Sequence, residues 1–360
     1  MPPNPRPESP GTTSDPPAPG RTSRLLKIVA GLTAVLSLAL AARQVTVFIT
    51  DYRARQTRVR ELLATSALQS RAGDHPAAWT ALSQALRTDP GNAAVRSARE
   101  DAAMAWLENA RTGSTSPTFT ALADTLSPAL TEGLLHSDST RKADLLAHLG
   151  WADFLRWREG RSDLSPPTRY REALALDPHN PFAHAMLGHW LLWQSDSVGQ
   201  AAGHFRDALA AGRAREYIRH MQLSALGNRR SAGTAVELIR VANEMRSSGD
   251  SVPENARGEL WTALSGSFIS PAADPPPALV LAAVPPADLL ATYRWLFDGS
   301  GYPAAKGASY SYQLAALQEA AGDTAAALAG YRALIADKQG VPDGLRPRVT
   351  QAVARLSGKH

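Results

Sequence analysis

The nine histidines are the residues in this chain best suited to chemistry, as metal ligands or as proton carriers near neutral pH. Three of them, His179, His184 and His189, recur every five residues. Five helical steps turn a side chain by about 140° net, so the three do not share a face. No H-E-x-x-H pair occurs, and no carboxylate completes a histidine pair at local ligand spacing. The chain has no cysteine, which removes thiolate metal sites, cysteine nucleophiles and disulfides. It also lacks a G-x-S-x-G elbow, a Walker loop and a dinucleotide-binding glycine fingerprint. Carboxylates such as Glu100, Asp101 and Glu159 are dispersed and read as helix surface. No catalytic residue, cofactor or metal ligand is therefore expected, and the chain reads as a non-enzyme. An unrecognised catalytic unit would have to sit in about residues 231–301.

Charge narrows the partners. The formal charge of +5 could suggest nucleic acid. Yet the first 60 residues hold nine basic groups against three acidic ones, and the remaining 300 hold 29 against 30. A nearly neutral body has no excess cations to release phosphate counterions, so nucleic acid is excluded as the expected partner.

The basic excess belongs to the amino-terminal segment. Residues 1–24 are rich in proline and small polar residues, which cannot bury enough surface to offset ordering, and a disordered tail is expected. Arg21, Arg24 and Lys27 then precede an uncharged run, Ile28 to Ala42, and apolar residues resume after Arg43 and Gln44. Residues 25–50 are long enough for one bilayer-spanning helix at ~1.5 Å per residue. Two alternatives stand beside an uncleaved anchor. Ala39-Leu40-Ala41 resembles a signal-peptidase site, and the run could be a buried helix of the body. Arg53, Arg55, Arg58 and Arg60 balance the charges on the near side, so orientation is weakly specified. A tail inside and a body outside, at a bacterial inner membrane, is the expectation.

The elements that would position any site are helices. Beyond Asp51 the chain is Ala- and Leu-rich, with helical-length segments ended by Gly-Asp, Asp-Pro or Pro-Pro and no alternating β-branched run. A self-comparison at a period near 34 finds PFAHAMLGHWLLWQSDSVGQAAGHFRDALAAG, with Leu187-Gly188, Ala201, Phe205 and Ala208. Before it lie Leu149-Gly150 and YREALALDP, with an insertion placed around Ser162 to Pro167. HPAAWTALSQALRTDP supplies an earlier copy, and SYQLAALQEAAGDTAAALAGYRALIA a last one in which Ala315 replaces the glycine. This pattern resembles tetratricopeptide repeats over about four pairs. Helical stretches at 93–111, 214–226 and 235–246 are read as degenerate continuations.

The resemblance implies an all-α fold, a right-handed superhelical array of antiparallel helix pairs over residues 51–269. A Pro-rich interruption with short helices follows at 270–303, then a terminal pair and helix at 304–360. It also implies protein or peptide partners held on the first helices of the pairs. On that rule the groove residues are Arg60, Arg71, Trp151, Phe154, Phe182, His189, Trp193 and Tyr312. The function expected is a scaffold or adaptor for assembly of a bacterial envelope complex, with the bilayer bound through residues 25–50. The alternative is an accessory subunit that positions substrate for an envelope biosynthetic enzyme of the polysaccharide or cytochrome biogenesis type.

Overall fold

The computed structural model describes residues 21–110, 118–160, 163–195, 197–265, 277–298, 300–303, 307–337 and 341–358. Residues 1–20 of the expected tail, Ser162 of the expected insertion and residues 270–276 and 299 of the expected interruption lie outside them. Sixteen α-helices and no strand occur among the described residues. The first three are α1 (Arg21–Arg71), α2 (His75–Thr88) and α3 (Ala93–Asn109). Then come α4 (Phe119–Gly133), α5 (Ser139–Arg158), α6 (Pro166–Leu176), α7 (Pro181–Gln194) and α8 (Val198–Ala210). They are followed by α9 (Arg215–Asn228), α10 (Ala232–Ser248), α11 (Glu254–Leu264) and α12 (Ala278–Ala283). The last four are α13 (Pro286–Phe297), α14 (Ala308–Ala320), α15 (Thr324–Ala336) and α16 (Arg346–Leu356).

Caps explain where the helices begin and end. Asp74, Asp138, Asn180 and Asp323 each accept the N–H three residues on, at 2.8–3.1 Å, satisfying a donor the helix cannot. Pro76 and Pro181 sit in the first turn, where a missing N–H costs nothing. At the other end Gly73, Gly249 and Gly322 take φ of 76°, 73° and 87°, a left-handed stop that a Cβ would disfavour.

The chain forms two compact units, residues 1–95 and 96–360. In the first, α1 begins inside the expected tail and runs unbroken for 51 residues. The anchor and the first helix of the first pair are therefore one element. Neither Gly nor Pro occurs between Gly31 and Gly73 to stop it. Its carboxy-terminal half packs on α2 through Val59, Leu62, Ala81 and Ala85, with Val95 added from the start of α3. Its apolar half is uncovered: Leu26, Leu32, Leu36, Leu38 and Phe48 are 63–74% exposed.

In the second unit α5 pairs with α6, α7 with α8, and α14 with α15, while α5, α7 and α9 neighbour one another as the first helices of successive pairs. Close approach within each pair rests on small residues. A Cβ at Gly150 would meet the Tyr170 ring at 2.6 Å, and one at Gly188 would meet the Ala201 carbonyl at 3.1 Å and the Phe205 ring at 3.2 Å. Ala315 stands where the last pair lacks its glycine, and Gly330 opposite it restores the space, its ideal Cβ lying 3.1 Å from that of Ala315. The proline segment does not end the packing. α13 lies against α10 and α14, and Tyr293, Phe297, Trp261 and Tyr310 share one ring cluster.

Two substitutions of the same chemistry should therefore act in opposite directions. Gly150→Ala should destabilise by about 1–3 kcal/mol through overpacking on Tyr170. Gly203→Ala should stabilise by ~0.5–1 kcal/mol, since its Cβ meets nothing closer than 4.0 Å. Thermal melts followed by circular dichroism check both signs.

Candidate partner-binding face

The ring cluster on α5 and α7 is the densest group of candidate site residues. The two helices are held in register by a polar node. Asn180, the cap of α7, donates to Asp144 of α5 at 2.7 Å, and Arg213 donates to both carboxylate oxygens at 2.7 and 2.8 Å. Asp144 is buried, so its charge needs this pairing. The hydrogen bonds to Asp144 hold the Arg213 guanidinium pKa above its usual value. Arg213 also lies 5.4 Å over the Phe182 ring.

Along this seam the rings form two layers. Trp151 stacks on Phe154 at 4.9 Å, and His189 meets both edge-on at 5.0 Å. Above Phe154 lie Trp157 at 6.0 Å, Trp190 at 6.2 Å and Trp193 at 5.6 Å, and Trp157 meets Trp190 at 5.0 Å. Arg158 covers Trp193 from 5.4 Å. The inner layer is closed to solvent: Trp151 and Phe154 are 1% exposed and His189 4%. Trp157, Trp190 and Trp193 are half-buried.

The expected groove residues thus divide. The structure brings Trp151, Phe154, Phe182, His189 and Trp193 to one seam, but Trp151, Phe154 and His189 lie beneath it. Trp151 is held under α3, whose Leu107 carbonyl accepts its indole N–H at 3.0 Å and whose Glu108 meets His148 at 2.9 Å, while the outer tryptophans pack on Phe154 and Trp193 on His189. Phe182 and Trp193 stay at the surface, Phe182 in a cleft of about 480 Å³ with Glu108, Asn109, Tyr217 and His220. Trp193 borders a smaller one of about 140 Å³ with Leu192, Ala225, Asn228 and Arg229. Tyr312 packs on Tyr331 at 5.8 Å in the α14–α15 core instead. Arg60 and Arg71 are exposed on α1 in the other unit. Trp157 and Trp190 escaped the sequence rule, though Trp157 stands three residues from Phe154, one turn along the same helix face.

Carboxylates read as surface take structural parts. Glu100 is buried and accepts Arg141 at 2.9 Å. Glu159 accepts the N–H groups of Phe119 and Thr120 at 2.8 Å each, capping α4 from the end of α5. Those hydrogen bonds, Thr120 foremost, hold its carboxyl pKa below the ordinary value. A further cleft of about 530 Å³ lies between α8 and α10, lined by Val198, Arg206, Val236, Glu237 and Arg240.

No protein-family model and no curated relative matches the sequence. Among solved structures, a tetratricopeptide repeat protein from Parabacteroides merdae overlaps 84% of this chain and 99% of its own, at 13% identity and a TM-score of 0.38. The helix pairs pack closely through small residues. Small residues of one helix face an aromatic of the next at Gly150–Tyr170 and Gly188–Phe205, where the repeat pattern sets them. Among the described residues, α1 is also the one helix long and apolar enough to cross a membrane, and none of its apolar window is buried.

The layering predicts different consequences for two tryptophans of the seam, one on α5 and one on α7. Trp151→Ala should cost about 3–5 kcal/mol, through lost packing and the lost bond to Leu107. Trp190→Ala should cost about 1 kcal/mol, because its ring is already half in water. Urea unfolding of the two variants measures the difference.

Proposed function

We propose that the protein is a membrane-anchored scaffold that holds other proteins of a bacterial envelope complex on the α5–α7–α9 side of its helical body. The observation that carries this reading is the contrast within α1. The same helix packs tightly on α2 at one end and leaves a row of large apolar side chains uncovered at the other. A run of that length has no stable place in water, and a bilayer satisfies it without any further protein. The binding side follows from the half-buried tryptophans and the clefts at Phe182 and Trp193. Amphipathic rings with the exposed Arg158 beside them suit an extended or helical peptide carrying apolar and acidic side chains.

The topology that goes with this reading places the short tail in the cytoplasm and the body in the periplasm. Arg21, Arg24 and Lys27 stay on the inner side. Arg53, Arg55, Arg58 and Arg60 extend helically beyond the outer surface, carried with a large domain whose translocation does not depend on local charge. Holding a partner near the membrane in this way needs no chemistry from the chain itself.

The absence of cysteine makes topology directly measurable. Ser97→Cys supplies a single exposed thiol on the body. It should react with a membrane-impermeant maleimide in intact spheroplasts, and protection until lysis would reverse the orientation. Removing residues 1–54 should release the body into the soluble fraction with its cooperative melt retained. A truncated body that aggregates or melts without cooperativity would show that the apolar stretch is part of the fold.

A further inference from the structure

We propose that His184, His204 and Asp207 form a binding site for a divalent first-row transition-metal ion of the zinc class, joining α7 to α8. His184 Nδ1 lies 3.0 Å from His204 Nδ1 and 4.0 Å from Asp207 Oδ2, and the three ligand atoms all fall within 4.8 Å of one another. His204 and Asp207 stand three residues apart, so they rise from the same face of α8 toward the helix that carries His184.

The surroundings of His184 set it up as a ligand. Its Nε2 lies 2.9 Å from the Pro178 carbonyl, which only accepts, so Nε2 carries the hydrogen. The Nδ1 lone pair is thereby turned toward His204. A backbone carbonyl that fixes the tautomer of a histidine in this way is the usual outer support of a metal-binding imidazole. His184 itself is buried, and Asn180 and Pro181 hold its helix turn in place. The fit of α7 to α8 at Gly188, Ala201 and Phe205 fixes the spacing of the two backbones.

Without an ion, His204 Nδ1–H donates to His184 Nδ1. With one, that hydrogen moves to His204 Nε2 and the two Nδ1 lone pairs converge on the cation, so no net proton is lost from the pair.

The distances fit the geometry. Two nitrogens bound at ~2.0–2.1 Å with a tetrahedral angle stand about 3.4 Å apart, so the imidazoles need to open by a few tenths of an ångström. Asp207, with a side chain 63% exposed, is free to swing its carboxylate inward. Two imidazoles and one carboxylate suit zinc, cobalt or nickel rather than calcium or magnesium, which prefer oxygen. Water would complete the coordination. Local spacing could not reveal the site, because His184 lies 20 residues before His204, across the α7–α8 turn.

The test uses the full chain in detergent, without a polyhistidine tag, dialysed against zinc chloride, washed and assayed by mass spectrometry. The expected result is one equivalent of zinc at pH 7.5, lost on acidification because protons compete with the ion for its ligands. Zinc should raise the melting temperature. Cobalt should give the intense visible absorption of low coordination number. His204→Ala should abolish retention and Asp207→Asn should weaken it about tenfold or more. His204 is half-buried, so its variant should keep the parent's circular dichroism, and that spectrum certifies folding should His184→Ala fail to fold. No retained zinc in the parent protein, or equal retention by a folded His204→Ala, would overturn the proposal.

Discussion

The close contact between the two helices of a pair is the constraint on which the rest of the structure depends. An antiparallel pair can bury an aromatic ring between its axes only where the facing helix withholds a side chain. Gly150 does this for Tyr170 and Gly188 for Phe205. Both rings are almost wholly excluded from water, Tyr170 at 0% and Phe205 at 1% exposed. A fully buried large side chain contributes about 1.5–3 kcal/mol, so these contacts weigh heavily against the few kcal/mol by which a domain is stable. They also fix helix spacing to within a methyl group. That spacing sets the α5–α7 seam and brings His184 up to His204.

Such pairs cannot close on themselves. Each leaves an apolar side that the next pair must cover, and the cover at the α5–α7 step is made from rings rather than from aliphatic side chains. The outer tryptophans remain partly in water as a consequence of that choice. A surface built like this is rigid, because its rings are braced from below by Trp151, Phe154 and His189. Rigid aromatic edges lose little entropy on contact, which favours recognition over catalysis as the use of this face.

Much of the architecture was legible from the residues because the relevant signals are local. Leu149-Gly150 and Leu187-Gly188, the Asp-Pro endings at 89–90 and 177–178, and Gly-Asp at 73–74 and 322–323 all act within one helical turn of where they are written. What stayed hidden depends on contacts distant in sequence. Trp151 looked like groove lining until α3 covered it through Leu107. The reach of α1 through Arg43 to Arg71 was hidden for a different reason. Charged residues there suggested an interface, yet nothing between Gly31 and Gly73 breaks a helix. Trp157 and Trp190 were equally visible as letters, but only the packing of α5 on α7 decides which rings face out.

A partner protein held at the membrane by the proposed α5–α7–α9 face would lie against Trp190. A photo-crosslinking amino acid at Trp190, on that face, compared in living cells with one at Gln200 on α8, tests it most directly. A discrete crosslinked protein is expected from position 190, in the membrane fraction, and none of that size from position 200. No adduct from position 190, or the same adducts from both positions, would contradict it.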